Sequence, residues 1–292
     1  MLSRLAGSVF RVGSAVERTD FVARLLDVYL VRGDPEPDAT NALRVVVGAA
    51  PTDPPGDRTA TLDALALDRH EPASIAHAVA VARDDARRAR EVVSTELWDC
   101  LDVTRSRMPR KVAVDRAHEF LGWARERSAL AIGVVEGDVS RDEVWEFFSL
   151  GRALARCTVT ARLLASDLVE RASAASWSTA LRACGVGEAS RRGLDHAPDS
   201  DEAAAFLLLD EHSPRSLRFV ARRADACLTD VGPSCIGDEV AAFRAALDRL
   251  EAVGAAEAAV LAAAVAVPLA TAAERVVAAL DARVFAAPAP AA

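Results

Sequence analysis

Glu17, Arg18, Asp20, Arg24 and Asp27 fall within three turns of one N-terminal segment, Asp20 and Arg24 four positions apart and Arg24 and Asp27 three. On a helix these spacings bring the charges within reach of one another. If that helix is solvated, each pair is worth roughly 0.3–0.5 kcal/mol. If it is central, the charges must be paired or they cost several kcal/mol each. Two chemistries fit. Glu17 could act as a general acid or base while Arg18, Arg24 or Arg156 holds a carboxylate, or the whole set could be an ion network that fixes helix register.

The second group is Arg156 with Arg162. A gapless repeat aligns Gly13–Leu30 with Gly151–Leu168, and it keeps Arg18 and Arg24 as Arg156 and Arg162 but turns Glu17, Asp20 and Asp27 into Ala155, Thr158 and Ala165. Having lost those acids, Arg156 either pairs across to Glu17 or stays free for an anionic group. Arg215, Arg218 and Arg222 recur at three- and four-residue steps and could grip phosphate or carboxylate from one helix face, or form a solvated face.

Other constellations carry less. Asp115 and His118 have the spacing of half a di-iron helical site, but no second half exists, so no metal is expected. His70, His77, His196 and His212 form no metal-ligand spacing. Phosphate-binding and nucleophile-elbow motifs are absent, which argues against nucleotide chemistry and implies no cofactor. The five cysteines are scattered, with no C-x-x-C pair, and suit a reducing cytoplasm.

These residues need elements to hold them. Abundant Ala, Leu, Arg and Glu with a single Tyr favour helix throughout, so the fold class expected is all-α. Leu2, Leu5, Val9, Val12, Val16, Thr19, Ala23, Leu26 and Leu30 trace the seam of a bundle helix. Phe10, Phe21 and Leu25 lie off that seam, so this helix should be covered from several sides. The stretch from Val31 to Pro72 is rich in Gly and Pro and reads as a loop holding one short helix near Asn41–Val47. Helices are expected over about Ser74–Leu101, Pro109–Val135, from a Ser140/Glu143 capping box to about Ala172, Ser176–Arg192, Asp201–Leu209, Pro214–Thr229, Asp238–Val253 and Ala255–Phe285. The repeat predicts a single duplicated bundle over 1–285, with halves of about 1–135 and 136–285, an approximate two-fold axis between two central helices, and a disordered Pro/Ala tail over 286–292.

Composition bounds the partners. The chain has 292 residues, 51% of them hydrophobic, enough for a sizeable core. A net charge of −8 argues against nucleic acid bound by bulk electrostatics. Lys111 is the single lysine, so nearly all the positive charge is arginine, suited to forked pairing. The first ten residues lack the apolar run of a signal peptide. The uncharged run Ala258–Ala273 contains Pro268 and is short of the roughly 20 residues of a membrane span, so it reads as a kinked core helix.

The opening Met-Leu-Ser-Arg with Gly13, Glu17-Arg18 and Ala23–Asp27 resembles the alpha-E family, an all-helical group with a signature Glu-Arg pair. The likeness continues through Ala82–Arg87 with Glu96-Leu97-Trp98, Phe148–Arg152 with Thr160–Leu164, Trp177–Arg192, and Phe206–Asp210 with Pro214–Ser216. Two features depart from the pattern: the second Glu-Arg pair is Ala155-Arg156, and the aromatic near position 11 is Arg11. The resemblance implies a bacterial cytoplasmic partner of a circularly permuted ATP-grasp ligase, often with a transglutaminase-like peptidase, working in peptide or amide metabolism. Glu17 and Arg18 carry over as signature residues, without a catalytic role. Three readings follow: a non-catalytic helical subunit that positions substrate for such a ligase, an enzyme of amide formation or cleavage using Glu17, and a stand-alone small-molecule-binding protein. An exposed apolar patch would favour the first.

Overall fold

The computed structural model describes residues 1–33, 37–192, 194–232 and 234–286. Among them the chain is all-α: α1 (Ser3–Leu25), α2 (Pro37–Val47), α3 (Arg58–Leu62), α4 (Ile75–Arg88), α5 (Thr95–Ser106), α6 (Ala117–Asp138), α7 (Glu143–Ala165), α8 (Ala174–Cys184), α9 (Ser200–Leu209), α10 (Leu217–Val231), α11 (Gly237–Glu251) and α12 (Ala258–Ala279). Ala286 is exposed, and the remainder of the Pro/Ala tail lies outside the described residues.

α1 and α7 form the centre. α1 packs against α4, α6, α7 and α8, while α7 packs against α2, α10 and α12. Phe10, Phe21 and Leu25, off the seam, are buried like the seam from Leu5 to Leu30, as expected of a helix covered on several sides; Leu2, expected to open the seam, is instead the exposed residue before the first turn of α1. The two helices cross with their backbones in contact. A Cβ added to Gly13 would stand 2.1 Å from the Phe148 carbonyl oxygen, and one added to Gly151 would stand 2.1 Å from that of Phe10. These contacts are reciprocal under one sequence offset, since Gly151 and Phe148 each lie 138 positions after Gly13 and Phe10. Each central helix is followed by five further helices in the described residues, and one core cluster runs from Leu5 to Phe285.

Several element boundaries differ from the sequence expectation, each for a local reason. The helix expected over Ser74–Leu101 is two helices, because Ser94 accepts a hydrogen bond from Leu97 N and starts α5 afresh. α7 is capped by Asp142, whose carboxylate accepts from Val144 N and Trp145 N, so Ser140 is not the cap. A capping box forms instead at Asp199 and Glu202. α1 ends at Leu25 in a π-helical turn, Leu26–Val31. The expected loop from Val31 to Pro72 holds α2, α3 and a further π turn, Asp63–Leu67. α6 starts at Ala117, after a 3₁₀ turn, and α7 stops at Ala165 with Ser166 beyond it. α8 stops at Cys184 because Gly185 adopts the left-handed conformation, φ +78°. Pro268 lies inside α12. The helical stretch Ala255–Val284 is long and apolar enough to cross a membrane by composition, and here α12 packs against α7, α9 and α11, with Val260 and Val267 exposed.

Candidate functional site

Glu17 faces α7 across the crossing and is fully buried. Arg156 Nε donates to its Oε1 at 2.5 Å and Arg156 Nη2 to its Oε2 at 2.6 Å, a forked pair. Arg152 Nε and Arg215 Nη1 stand 3.5 and 3.7 Å from the same carboxylate. One turn on, Asp20 accepts from Arg24 Nε at 2.9 Å and from Arg215 Nη2 at 2.9 Å. Arg215 therefore joins the two acids, and four guanidiniums surround two carboxylates in the interior.

Burial pushes both carboxyls up, but the arginines outweigh it: Arg156 first, then Arg152 and Arg215 at Glu17, and Arg215 and Arg24 at Asp20. Both acids are held below the usual carboxylate range. Glu17 thus has no proton to give at neutral pH, and both its oxygens are taken by Arg156, so it is ill-suited to general acid–base work.

Arg215 reaches the network through a turn rather than a helix face. α10 begins only at Leu217, where Ser216 Oγ accepts from Phe219 N and donates to the Asp210 carbonyl, so the expected Arg215–Arg218–Arg222 row is broken after its first member. Arg218 pairs with Glu211 and Glu251, and Arg222 with Glu251 on the exposed side. The turn repeats earlier in the chain: Asp68-x-His70-x-Pro72-x-Ser74 matches Asp210-x-His212-x-Pro214-x-Ser216, and Ser74 Oγ likewise donates to the Asp68 carbonyl and accepts from His77 N. Both prolines receive an arginine. Arg156 Nη1 donates to Pro214 O at 2.7 Å, and Arg18 Nη1 donates to Pro72 O at 3.2 Å.

Arg18 differs from Arg156 in its acid. Where Arg156 has Glu17, the residue 138 positions after Glu17 is Ala155, and Arg18 meets no carboxylate among the described residues. Burial, followed by the neighbouring Arg162, lowers its pKa. Arg162 pairs with Glu274.

Arg24 leads outward from the network. With Arg32, Arg125, Arg182, Arg191 and Arg192 it lines an open cleft of about 1030 Å³ between the end of α1, α8 and the turns that follow; the acids among the described lining residues are Asp27, Asp167 and Glu188, and Arg24 is itself paired with Asp20 behind them. Gly185 lets Arg24 pass: a Cβ there would stand 2.4 Å from Arg24 Nη1. The Tyr29 hydroxyl in this cleft is buried without a partner, and burial raises its pKa well above that of free tyrosine. A second groove, about 650 Å³, runs beside Arg162 and Gly48, also a left-handed glycine. Three residues before the glycine, α8 presents Arg182 whereas α2 presents Val45. Val45 and Val267 in this groove are each about half exposed, so the one cleft is cationic and the other apolar.

His118 binds Asp27 through Nδ1 at 2.6 Å and lies beside Arg32, away from any ligand set with Asp115. No group of three or more metal-ligating side chains occurs among the described residues. Cys157 and Cys184 are buried, with pKa values pushed up to about 12, and all five cysteines are free. Arg152, Arg125, Tyr29 and the Pro214 carbonyl carry no signal in sequence spacing, because the turns and crossings that bring them in are tertiary. The Asp-x-His-x-Pro-x-Ser repeat was the legible clue to Arg215.

Fold and site together define an all-helical protein organised around a buried Glu-Arg pair. Of its Glu-Arg dipeptides, Glu17-Arg18 is the one whose glutamate is buried. The chain belongs to the Alpha-E family, described as a predicted alpha-helical domain with a conserved ER motif, which matches residues 1–285. No curated protein matches the chain, and no solved structure does.

Proposed function

We propose that this protein is a non-catalytic helical subunit that holds an anionic, carboxylate-bearing substrate for a circularly permuted ATP-grasp amide ligase in the bacterial cytoplasm. The cationic cleft carries the reading. Its surplus of guanidiniums over carboxylates suits forked recognition of a carboxylate or an acyl-phosphate, and the buried network anchors Arg24 at its edge. Glu17, locked by Arg156 and held ionised, supports a structural role over acid–base catalysis. The apolar groove with Val45 and Val267 offers a surface where the ligase or a transglutaminase-like peptidase could dock. Free thiols suit a reducing compartment.

The experiment is co-purification of the tagged protein from its native host, with mass spectrometry of what stays bound. An ATP-grasp protein in stoichiometric amount is the expected result, and Arg182→Gln should then slow amide formation in the reconstituted system. Recovery of the chain alone, or with a small molecule only, overturns the partnership. Full activity of a ligase without this chain overturns the subunit role.

A further inference from the structure

A second pocket shares no lining residue with the cationic cleft. It lies between α7 and the start of α10, with Glu136 of α6 at its side, and encloses about 310 Å³, the lower end of the range for ligand sites. Trp145, Ala153, Phe219 and Val220 give it an apolar wall.

Three of its polar atoms are buried and unmet. Ser149, 5% exposed, has a buried hydroxyl with no hydrogen-bond partner. Arg152 Nε lies 3.5 Å from Glu17 but makes no hydrogen bond, and the Trp145 indole N–H is buried without an acceptor. Buried polar groups ordinarily find partners, and two of these three can only donate. Charge points the same way. Of the arginines lining the pocket, Arg156 is taken by Glu17 and Arg152 is 3.5 Å from Glu136. Arg223 meets no carboxylate among the described residues and lies 4.2 Å over the Trp145 ring, with Arg141 also 4.4 Å from that ring's centre. Arg141 also holds Glu136, at 3.0 Å, so the guanidiniums around the pocket outnumber its carboxylates and Arg223 is left to meet an anion.

We infer that this pocket is a binding site for a small monocarboxylate bearing an apolar group, about the size of one acylated amino-acid residue. The carboxylate meets Arg223, Arg152 and the Ser149 hydroxyl, and the apolar group lies against Phe219, Val220 and Ala153. This site does not rest on the proposed ligase partnership, because the isolated chain contains all of it.

Isothermal titration calorimetry of the full chain near pH 7 tests it, with N-acetyl-L-leucine as the probe. Saturable binding is expected, at least tenfold weaker for N-acetyl-L-leucinamide and at least tenfold weaker in Arg223→Gln. Ala153→Leu, which fills the cavity, should abolish it. Should Ala153→Leu fail to fold by circular dichroism, Ser149→Ala takes its place with an expected several-fold loss. The proposal is overturned by no saturable heat, by acid and amide binding alike, by inorganic phosphate displacing the acid at equal concentration, or by Arg223→Gln binding like the wild type.

Discussion

Glu17 and Arg156 meet across the α1–α7 crossing through two hydrogen bonds of 2.5 and 2.6 Å, both partners buried. Removing one partner leaves an uncompensated charge in the interior. Glu17→Ala should therefore destabilise the protein by about 3–5 kcal/mol, read from denaturant unfolding. Replacing both, as Glu17→Leu with Arg156→Met, should recover more than half of that loss, because a packed apolar pair carries no desolvation cost. A loss below about 1 kcal/mol for Glu17→Ala would place the pair with ordinary surface bridges.

The same network sets the acid limb of stability. Glu17 and Asp20 have native pKa values depressed below 4.5 and 3.8. A depressed acid contributes stability that is complete above its unfolded pKa and lost as pH falls toward the native one. The melting temperature should accordingly hold near neutrality and fall as the pH drops below about 4.5. Glu17→Gln should start lower at pH 7 and lose less on acidification. Parallel profiles for the two proteins would show that other carboxylates govern the acid limb.

Part of this was readable from residues alone. The three- and four-residue apolar steps of α1, with Phe10 and Phe21 off the seam, are enough to make it a central helix, and the loss of Glu17's counterpart at Ala155 leaves Arg156 needing an acid elsewhere. Helical spacing misplaces Arg215, because its helix begins two residues after it and a serine–aspartate turn aims it inward; the repeated Asp-x-His-x-Pro-x-Ser turn is the sequence signal that marks it. Gly13 and Gly151 were visible as aligned glycines, but a glycine within a helix reads as weak propensity until the partner backbone is known. The cationic cleft depends on how α8 lies against the end of α1, which no spacing encodes.

At that crossing, a methyl group has nowhere to go. Gly13→Ala and Gly151→Ala each place a Cβ 2.1 Å from a main-chain oxygen, so the helices must separate, at a cost of about 3 kcal/mol. Gly122 in α6 has nothing within 4 Å of a built Cβ. Gly122→Ala should therefore stabilise by about 0.5–1 kcal/mol through helix propensity. Equal effects at Gly13 and Gly122 in thermal unfolding would contradict the close approach of α1 and α7.

Arg18 and Arg156 bind the prolines of two matching turns, yet only Arg156 holds an acid. If the reciprocity of the glycines extends along α1 and α7, Ala155 occupies toward Arg18 the place that Glu17 occupies toward Arg156. Ala155→Glu would then supply the missing partner, with a gain of about 1–2 kcal/mol from charge-assisted hydrogen bonds. Ala155→Gln should gain less, because a neutral amide leaves the Arg18 charge unmet, and Arg18→Gln should erase the gain of Ala155→Glu in a double-mutant cycle. A glutamate that destabilises, or that does no better than glutamine, would mean that the reciprocity of contacts does not reach position 155, and that Arg18 holds no acid because none can reach it.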